Sequence, residues 1–353
     1  MNQFKAVFCG LGSALLVAAC VTEYQPDNLS LPPALIVEGQ ITDQPGPYTV
    51  RLTRTADYSI RSLNLLENGA TVTIEDDLGY RETLTELTQT GTYITQRSGG
   101  IRGVAGRSYK LTIQTQSGRR YESDFEMLQA SPPIQKLYSE YRNEPIPGIG
   151  KRKESWDVYL DTKDPGEQSN YYRWLWTHYE FTFVCQKTEL PSGTLTGLGC
   201  CSECWDITRC YNCINVSSDA NVNGQAISRQ YIMEVPYKSR APYYLEVQQQ
   251  AISKGAYAFW KSVRQLVNNT GGLFDAAPTT IRGNLRCVSD PTASVYGYFG
   301  ATGISETSIY VDRSAGQAIP DSDPPVTIPQ PSGCVVCENN LYRTPVKPRW
   351  WVY

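Results

Sequence analysis

SKGAYAFWKSVRQLVNNTGGLFDAAPTTIRGNLRCVSDPTASVYGYFGATGISETSIYVD, residues 253–312, holds the one convincing helical pattern after the first twenty residues. Ala256, Phe259, Trp260, Val263, Leu266 and Val267 recur at spacings of three and four, so they share one face. Lys261, Arg264, Gln265 and Asn268 fall on the other. Ser253 reads as the N-cap and Gly271-Gly272 as a left-handed stop, giving a helix over 253–270. The apolar stripe predicts a helix laid across a sheet rather than an aromatic ligand site built from Tyr257, Phe259 and Trp260. Two short strands, Ser294–Gly300 and Thr307–Val311, are expected after it.

Outward from the helix the chain reads as β. Between Ala34 and Gln129, short alternating segments (ALIVEGQIT, YTVRLTRT, TVTIED, RETLTEL, GTYIT, SYKLTIQT and RYESDFEM) are separated by turn residues. That spacing predicts an immunoglobulin-like β-sandwich over 34–130. It contains no cysteine, so its stability has to come from an apolar core. Gly99, Gly100, Gly103 and Gly106 do not make a phosphate loop, because no Lys-Ser/Thr follows and no helix opens there. Ser131-Pro132-Pro133 marks the boundary to a larger antiparallel β domain over 131–353, which carries the one amphipathic helix. Its segment NYYRWLWTHYEFTFVC, 170–185, has aromatics on both sides and reads as a central strand. GQAISRQYIMEVP and PYYLEVQQQAIS read as neighbouring strands joined by the turn Tyr237–Ala241. In the second, Tyr244, Glu246, Gln248 and Gln250 share a face. The terminal RTPVKPRWWVY reads as a tail packed on its own domain, since exposed adjacent tryptophans are a liability.

Cysteine is concentrated at 200–213, CCSECWDITRCYNC. With Cys185, Cys287, Cys334 and Cys337, the residues Cys200, Cys201, Cys204, Cys210 and Cys213 are candidates for structural disulfides. Metal binding by the C-x-x-C pairs is the second reading, but only five residues separate Cys204 from Cys210, where a zinc ribbon spaces its knuckles by about 15–20. Redox activity ranks third, because no helix signal begins at any pair to lower a thiol pKa. An exported chain sits in an oxidising compartment, which favours disulfides. Nine candidates is an odd number, so at least one is unpaired within the chain, and spacing leaves the connectivity open.

Export is read from the N-terminus. Lys5 supplies a positive start, Ala6–Ala18 is mostly apolar and too short to span a bilayer, and Val17-Ala18-Ala19-Cys20 resembles a lipobox. Residues 1–19 are then a lipoprotein signal peptide, Cys20 is the lipidated residue that anchors the chain to a bilayer, and 20–33 is a polar, proline-bearing tether. Charged residues are 19% of the chain and the net charge is −3, so no basic field exists to hold nucleic acid. The 24 tyrosines suit half-buried strands.

No motif ties a nucleophile to the single histidine, His178, which reads as structural. Asp157, Asp161 and Glu180 are the carboxylates a hydrolase would use, without a motif that fixes their separation. No catalytic, cofactor-binding or metal residue is assigned.

A family resemblance rests on specific residues: Ala256, Tyr257, Phe259 and Trp260 in the helix, NTGGLFD at 269–275, Pro278, Ile281, Gly283 and Asn284, and GYFGATG at 297–303. PALIVEGQITD at 33–43, Cys204-Trp205, and the terminal C-x-x-C followed by Lys347-Pro348-Arg349-Trp350 also fit, although Arg349 stands where an Asp is common. The chain resembles a family of uncharacterised outer-membrane lipoproteins of Bacteroidota, a domain of unknown function often encoded beside TonB-dependent transporters. The resemblance implies a non-enzymatic accessory or ligand-binding partner of a TonB-dependent β-barrel transporter, lipid-anchored at the outer membrane on its cell-surface or periplasmic face. A metal- or thiol-handling surface protein using residues 185–213 is the alternative, and a hydrolase ranks behind both.

Overall fold

The computed structural model describes residues 33–55, 65–148, 150–166, 169–189, 195–210, 213–220, 223–268, 281–320, 337–348 and 350–351, without the side chains of 183–201. The protein is mainly β. Its strands in chain order are β1 (Leu35–Thr42), β2 (Thr49–Arg54), β3 (Leu65–Leu66), β4 (Thr71–Asp76), β5 (Arg81–Thr83), β6 (Thr85–Leu87), β7 (Thr92–Ile94), β8 (Ser108–Gln114), β9 (Arg120–Ser123) and β10 (Glu126–Met127). β11 (Ile134–Pro145), β12 (Arg152–Lys163), β13 (Tyr171–Glu189), β14 (Leu195–Arg209), β15 (Asn215–Ser218), β16 (Ala226–Pro236) and β17 (Tyr243–Ile252) follow. Then come the helix α1 (Lys254–Asn268), β18 (Leu285–Cys287), β19 (Val295–Val311) and β20 (Arg343–Thr344).

Period-two alternation makes these strands half-buried. In β8, Tyr109, Leu111 and Ile113 are buried while Lys110, Thr112 and Gln114 are not. The strands form three sheets. A long one runs β20-β14-β13-β17-β19-β1-β2-β7-β6, with β15 on β13 and β3 on β2. A second runs β18-β9-β8-β4-β5 with β10 on β8, and a third is β11-β12-β16.

Two cores result. Leu35, Val37, Val50, Leu52 and Phe299 of the long sheet meet Val72, Ile74, Leu111, Ile113 and Tyr121 of the second. Further along, Tyr172, Trp174, Leu245 and Val247 of the long sheet meet Trp156, Val158, Leu160 and Val235 of the third.

Several elements differ from the sequence reading. Two strands were expected at Ser294–Gly300 and Thr307–Val311, and β19 is one strand of seventeen residues spanning both cores. Its first half pairs in parallel with β1, Leu35 opposite Val295 through Thr42 opposite Thr302. Its second half pairs antiparallel with β17. With β18 on β9, residues 285–302 therefore complete the core of the N-terminal module. β16 and β17 are not neighbours: β16 pairs β12 and β17 pairs β13 and β19, so the turn at 237–241 crosses from one layer to the other. In α1 the Ser253 hydroxyl accepts the Ala256 N–H at 3.0 Å, an N-cap bond. Of the apolar stripe only Ala256 is buried; Phe259, Trp260 and Val263 are half-buried, and Leu266 and Val267 in the last turns are exposed. Gly271 and Gly272 lie outside the described residues.

Close backbone approach explains three of the motif glycines. Gly297, at φ +99°, lies against the Val37 carbonyl, and a Cβ there would collide with it. A Cβ at Gly283 would strike the Gly297 carbonyl, and one at Gly303 the Gln129 carbonyl.

Candidate functional site

Over β13, β17 and β19 one face of the long sheet is covered by the third sheet, and the other, the groove face, carries a row of largely part-buried side chains between α1 and the C-terminal segment. On β13 the inward side chains are Tyr172, Trp174 and His178, so Tyr171, Arg173, Leu175, Thr177 and Tyr179 point outward and are partly exposed. Backbone register extends these into rungs across three strands: Arg173–Gln250–Ile304, Leu175–Gln248–Glu306, Thr177–Glu246–Ser308 and Tyr179–Tyr244–Tyr310. Six residues of strand make the groove about 20 Å long.

Both ends are roofed. At one end α1 packs on Val216 and Ile252, with the Tyr257 ring 5.0 Å from that of Tyr171. At the other, the C-terminal segment crosses the sheet. Cys204–Cys337 bonds it to β14, Arg343 Nε donates to Asp206 Oδ1 at 2.5 Å, and the Ile207 N–H donates to the Tyr342 carbonyl at 2.7 Å. Trp351 then packs among Phe181, Trp205, Tyr244 and Tyr310, with ring centroids 5.5–6.2 Å away. Beneath this strap lies a cleft of about 460 Å³, lined by Tyr179, Ile207, Arg209, Glu246 and Glu306 of the sheet and Asn339, Asn340, Thr344, Val346, Lys347 and Pro348 of the strap. Carboxylates, cations, amides and a phenol face one space, which is the make-up of a site for a polar ligand.

At the helix end of the groove the electrostatics are unusual. The Arg173 guanidinium stacks 3.7 Å over the Trp260 ring, and burial without a counter-charge pulls its pKa down to about 10. Its Nε has no hydrogen-bond partner among the described residues. Gln250, opposite it in register and 1% exposed, finds no partner for its amide oxygen or amide nitrogen among the described residues.

The histidine and the three carboxylates singled out by sequence do not converge. Asp157 pairs with Arg142 at 3.1 Å, and Asp161 accepts from the Arg229 N–H at 2.8 Å and the Tyr138 hydroxyl at 3.3 Å, all within the third sheet. Glu180 is on β13 and is exposed, with Oε2 4.0 Å from His178 Nε2. His178 is buried, stacks on Tyr243 at 3.5 Å and 5°, and contacts the Tyr244 carbonyl through Nδ1 at 2.7 Å. Burial lowers its pKa to about 4, against the Tyr244 hydrogen bond, which raises it.

Among the cysteines, Cys204–Cys337 and Cys210–Cys213 are disulfides. Thiols so paired have no thiolate to give a metal. Among the described residues Cys287, on β18, is a buried free thiol in the first core, which is compatible with the one unpaired cysteine that the odd count requires. The side chains of Cys185, Cys200 and Cys201, and all of Cys334 and Cys20, lie outside the described residues.

Asn284 and Tyr298 of the motif lie at a buried junction instead. Asn284 clamps the Phe299 backbone, its Nδ2 donating to the carbonyl at 2.8 Å and its Oδ1 accepting the N–H at 3.0 Å. The Tyr298 hydroxyl donates to Glu126 Oε1 at 2.5 Å, and burial raises the Glu126 pKa. Glu126 carries no sequence signal of its own. Arg173 was hidden in an aromatic strand, and Glu306 and Arg209 in segments whose outward face is set by pairings far along the chain.

No curated protein matches the chain. A family model does, over residues 21–308, which is most of the sequence. The protein belongs to the family described as Domain of unknown function (DUF4249).

Proposed function

We propose that this protein is a lipid-anchored, non-enzymatic accessory of the outer membrane that binds a polar ligand in the groove on its long sheet and works with a TonB-dependent β-barrel transporter. The groove carries the reading: four rungs of outward side chains, roofed at both ends, mix charge, amide and tyrosine. Tyr179 in the cleft and the exposed Trp350 of the strap supply the kind of contact surface that ligands and partner proteins use. The anchor is read from the lipobox at Cys20 and the tether to residue 33. The N-terminal sandwich, immunoglobulin-like in its strand spacing, serves as a spacer that holds the groove off the membrane. The transporter partner rests on the family resemblance.

Gentle detergent extraction of C-terminally tagged protein from its native membrane, with mass spectrometry of what co-elutes, tests the partnership. A stoichiometric TonB-dependent barrel is expected. Recovery of the lipoprotein alone refutes the partnership and leaves a free-standing binder. Radiolabelled palmitate incorporation that survives Cys20→Ala would refute the anchor.

A further inference from the structure

Where β13 begins, two loops close on each other around a pair of buried carboxylates. Asp164 and Asp219 are each 1% exposed, and neither makes an ion pair among the described residues. Asp164, after β12, accepts the Tyr172 hydroxyl on Oδ1 at 2.6 Å and the Gly166 and Gly224 N–H groups on Oδ2 at 3.2 and 2.8 Å. Asp219, after β15, accepts the Asn170 N–H on Oδ2 at 2.8 Å and donates its own N–H to the Asn170 carbonyl at 3.1 Å. These bonds add a rung to the β13–β15 ladder: Tyr172 faces Ser217, so Asn170 faces Asp219. Residues opposite each other in a ladder put their side chains on one side of the sheet. Asp219 and Asn170 therefore point to the side on which Tyr172 meets Asp164. A Cβ on Gly166 would meet Gly224 Cα at 2.6 Å and Asn223 Oδ1 at 3.8 Å, so Asn223 comes to the same place.

These converging groups lack a positive partner. Asn170 is 3% exposed, and its Oδ1 has no hydrogen-bond partner among the described residues. Buried charges without a counter-charge are costly, and two of the same sign oppose each other. Burial, the Asp164 hydrogen bond and the charges of both aspartates raise the Tyr172 pKa, as an excess of negative potential does. The donors are carboxylate and amide oxygens, with no nitrogen or sulfur, which suits a hard cation. The sequence at 219–224, DANVNG, has the D-x-N-x-N-G form of calcium loops, whose sixth residue is a glycine for the sharp turn; Gly224 has φ +75°. The acid such a loop carries at its twelfth position is Gln230 here, which bonds Asn215 and the Tyr231 carbonyl instead, so Asp164 is the second carboxylate. Asn221 lies outside the described residues. An ion held by its oxygens at about 2.3–2.6 Å needs no pocket of the size an organic ligand does.

We propose that Asp164, Asn170, Asp219 and Asn223 hold a calcium ion that ties the loop after β12 to the loop after β15. The site lies on the inward side of β13, away from the groove face, and is independent of the groove reading.

Thermal melts and calorimetry of the detergent-solubilised full chain, in EGTA and in calcium, magnesium or sodium chloride, test it. With so few carboxylates a Kd of about 10⁻⁴–10⁻³ M is expected, so millimolar calcium should raise the melting temperature by several degrees while magnesium and sodium do not. Asp219→Asn keeps an oxygen for the Asn170 N–H and removes a charge. It should weaken calcium by about tenfold or more and, in EGTA, melt no lower than the wild type, because the burial and repulsion of that charge are gone. A hydrogen-bonding role alone predicts a lower melting temperature for this variant and an unchanged calcium response, which overturns the site. Asn170→Ala, which leaves both backbone bonds to Asp219, should weaken calcium several-fold and decides the matter if the Asp219 variant does not fold. Equal melting of the wild type in EGTA and calcium with no heat of binding, a calcium shift that survives both variants, or magnesium as effective as calcium also overturns it.

Discussion

Acidification from pH 6.5 to 4 should destabilise this protein through one side chain, His178. The imidazole is 8% exposed, lies flat on Tyr243 and uses Nδ1 against the Tyr244 carbonyl. A carbonyl accepts only, so Nδ1 carries the proton and the folded ring is neutral with Nε2 bare. Burial holds its folded pKa at about 4, against an ordinary 6.5 in the unfolded chain. Above pH 6.5 the ring is neutral in both states and nothing is lost. Between 6.5 and 4 the unfolded chain takes up a proton that the folded one refuses, so stability falls as pH falls. Below 4 both states are charged and the loss levels off at about 3 kcal/mol, from ~1.4 kcal/mol for each unit of displacement. Glu180 does little to rescue the charge, because it sits 4.0 Å away with its side chain 72% exposed. The assay is urea unfolding of the wild type and His178→Phe at pH 7.5, 6, 5 and 4. Phe keeps the stack on Tyr243 and loses the hydrogen bond, a constant offset of about 1 kcal/mol. The two stabilities should then converge or cross as pH drops. Because the chain has one histidine, its single Cε1 proton resonance gives a direct check. A midpoint near 6.5, or wild type and variant running parallel to pH 4, would refute the reasoning.

Other expectations are local. The Cys204–Cys337 disulfide closes a separation of 133 residues, so Cys337→Ser should cost roughly 2–5 kcal/mol in chemical denaturation and shift the tryptophan fluorescence as Trp351 leaves Trp205. Gly297→Val drives a Cβ into the Val37 carbonyl and should yield insoluble or unfolded protein by circular dichroism, whereas Gly79→Ala, where a Cβ meets nothing within 4 Å, should stay folded with only the local cost of its positive φ. Ser253→Ala removes the N-cap acceptor of α1 and should lower stability by about 1 kcal/mol in thermal melts. Tyr298→Phe strips the 2.5 Å hydrogen bond from buried Glu126 and should cost about 1–3 kcal/mol, read in the same melts.

What the sequence disclosed was local. Alternation in SYKLTIQT and TVTIED located β8 and β4 because period two is written in adjacent residues. The N-cap at Ser253 was equally plain, and Gln248 and Gln250 were visible on one face of β17. Which face looked outward was not, because that depends on β12 and β16 closing over Trp174 and Leu245. The merger of two short strands into β19 was hidden by its glycines, which read as turn residues but serve close backbone approach. Parallel pairing of residue 35 with residue 295 leaves no trace in either segment alone.

The shared strand β19 has a consequence for biogenesis. The N-terminal core lacks Phe299 and Ala301 until a stretch some 170 residues downstream of Leu128 has arrived. When the chain is threaded N-terminus first at about 5–20 residues per second, β1 waits roughly 13–50 seconds, the time for the 260 residues from Thr42 to Thr302, with its edge unpaired. An uncovered edge of that kind invites strand-to-strand association between nascent molecules. The first module therefore cannot finish before the second has largely emerged, and premature termination anywhere before residue 302 spoils both at once. A holdase that protects the early segment would raise the yield of the whole protein, and the fold is in this sense a single unit of quality control.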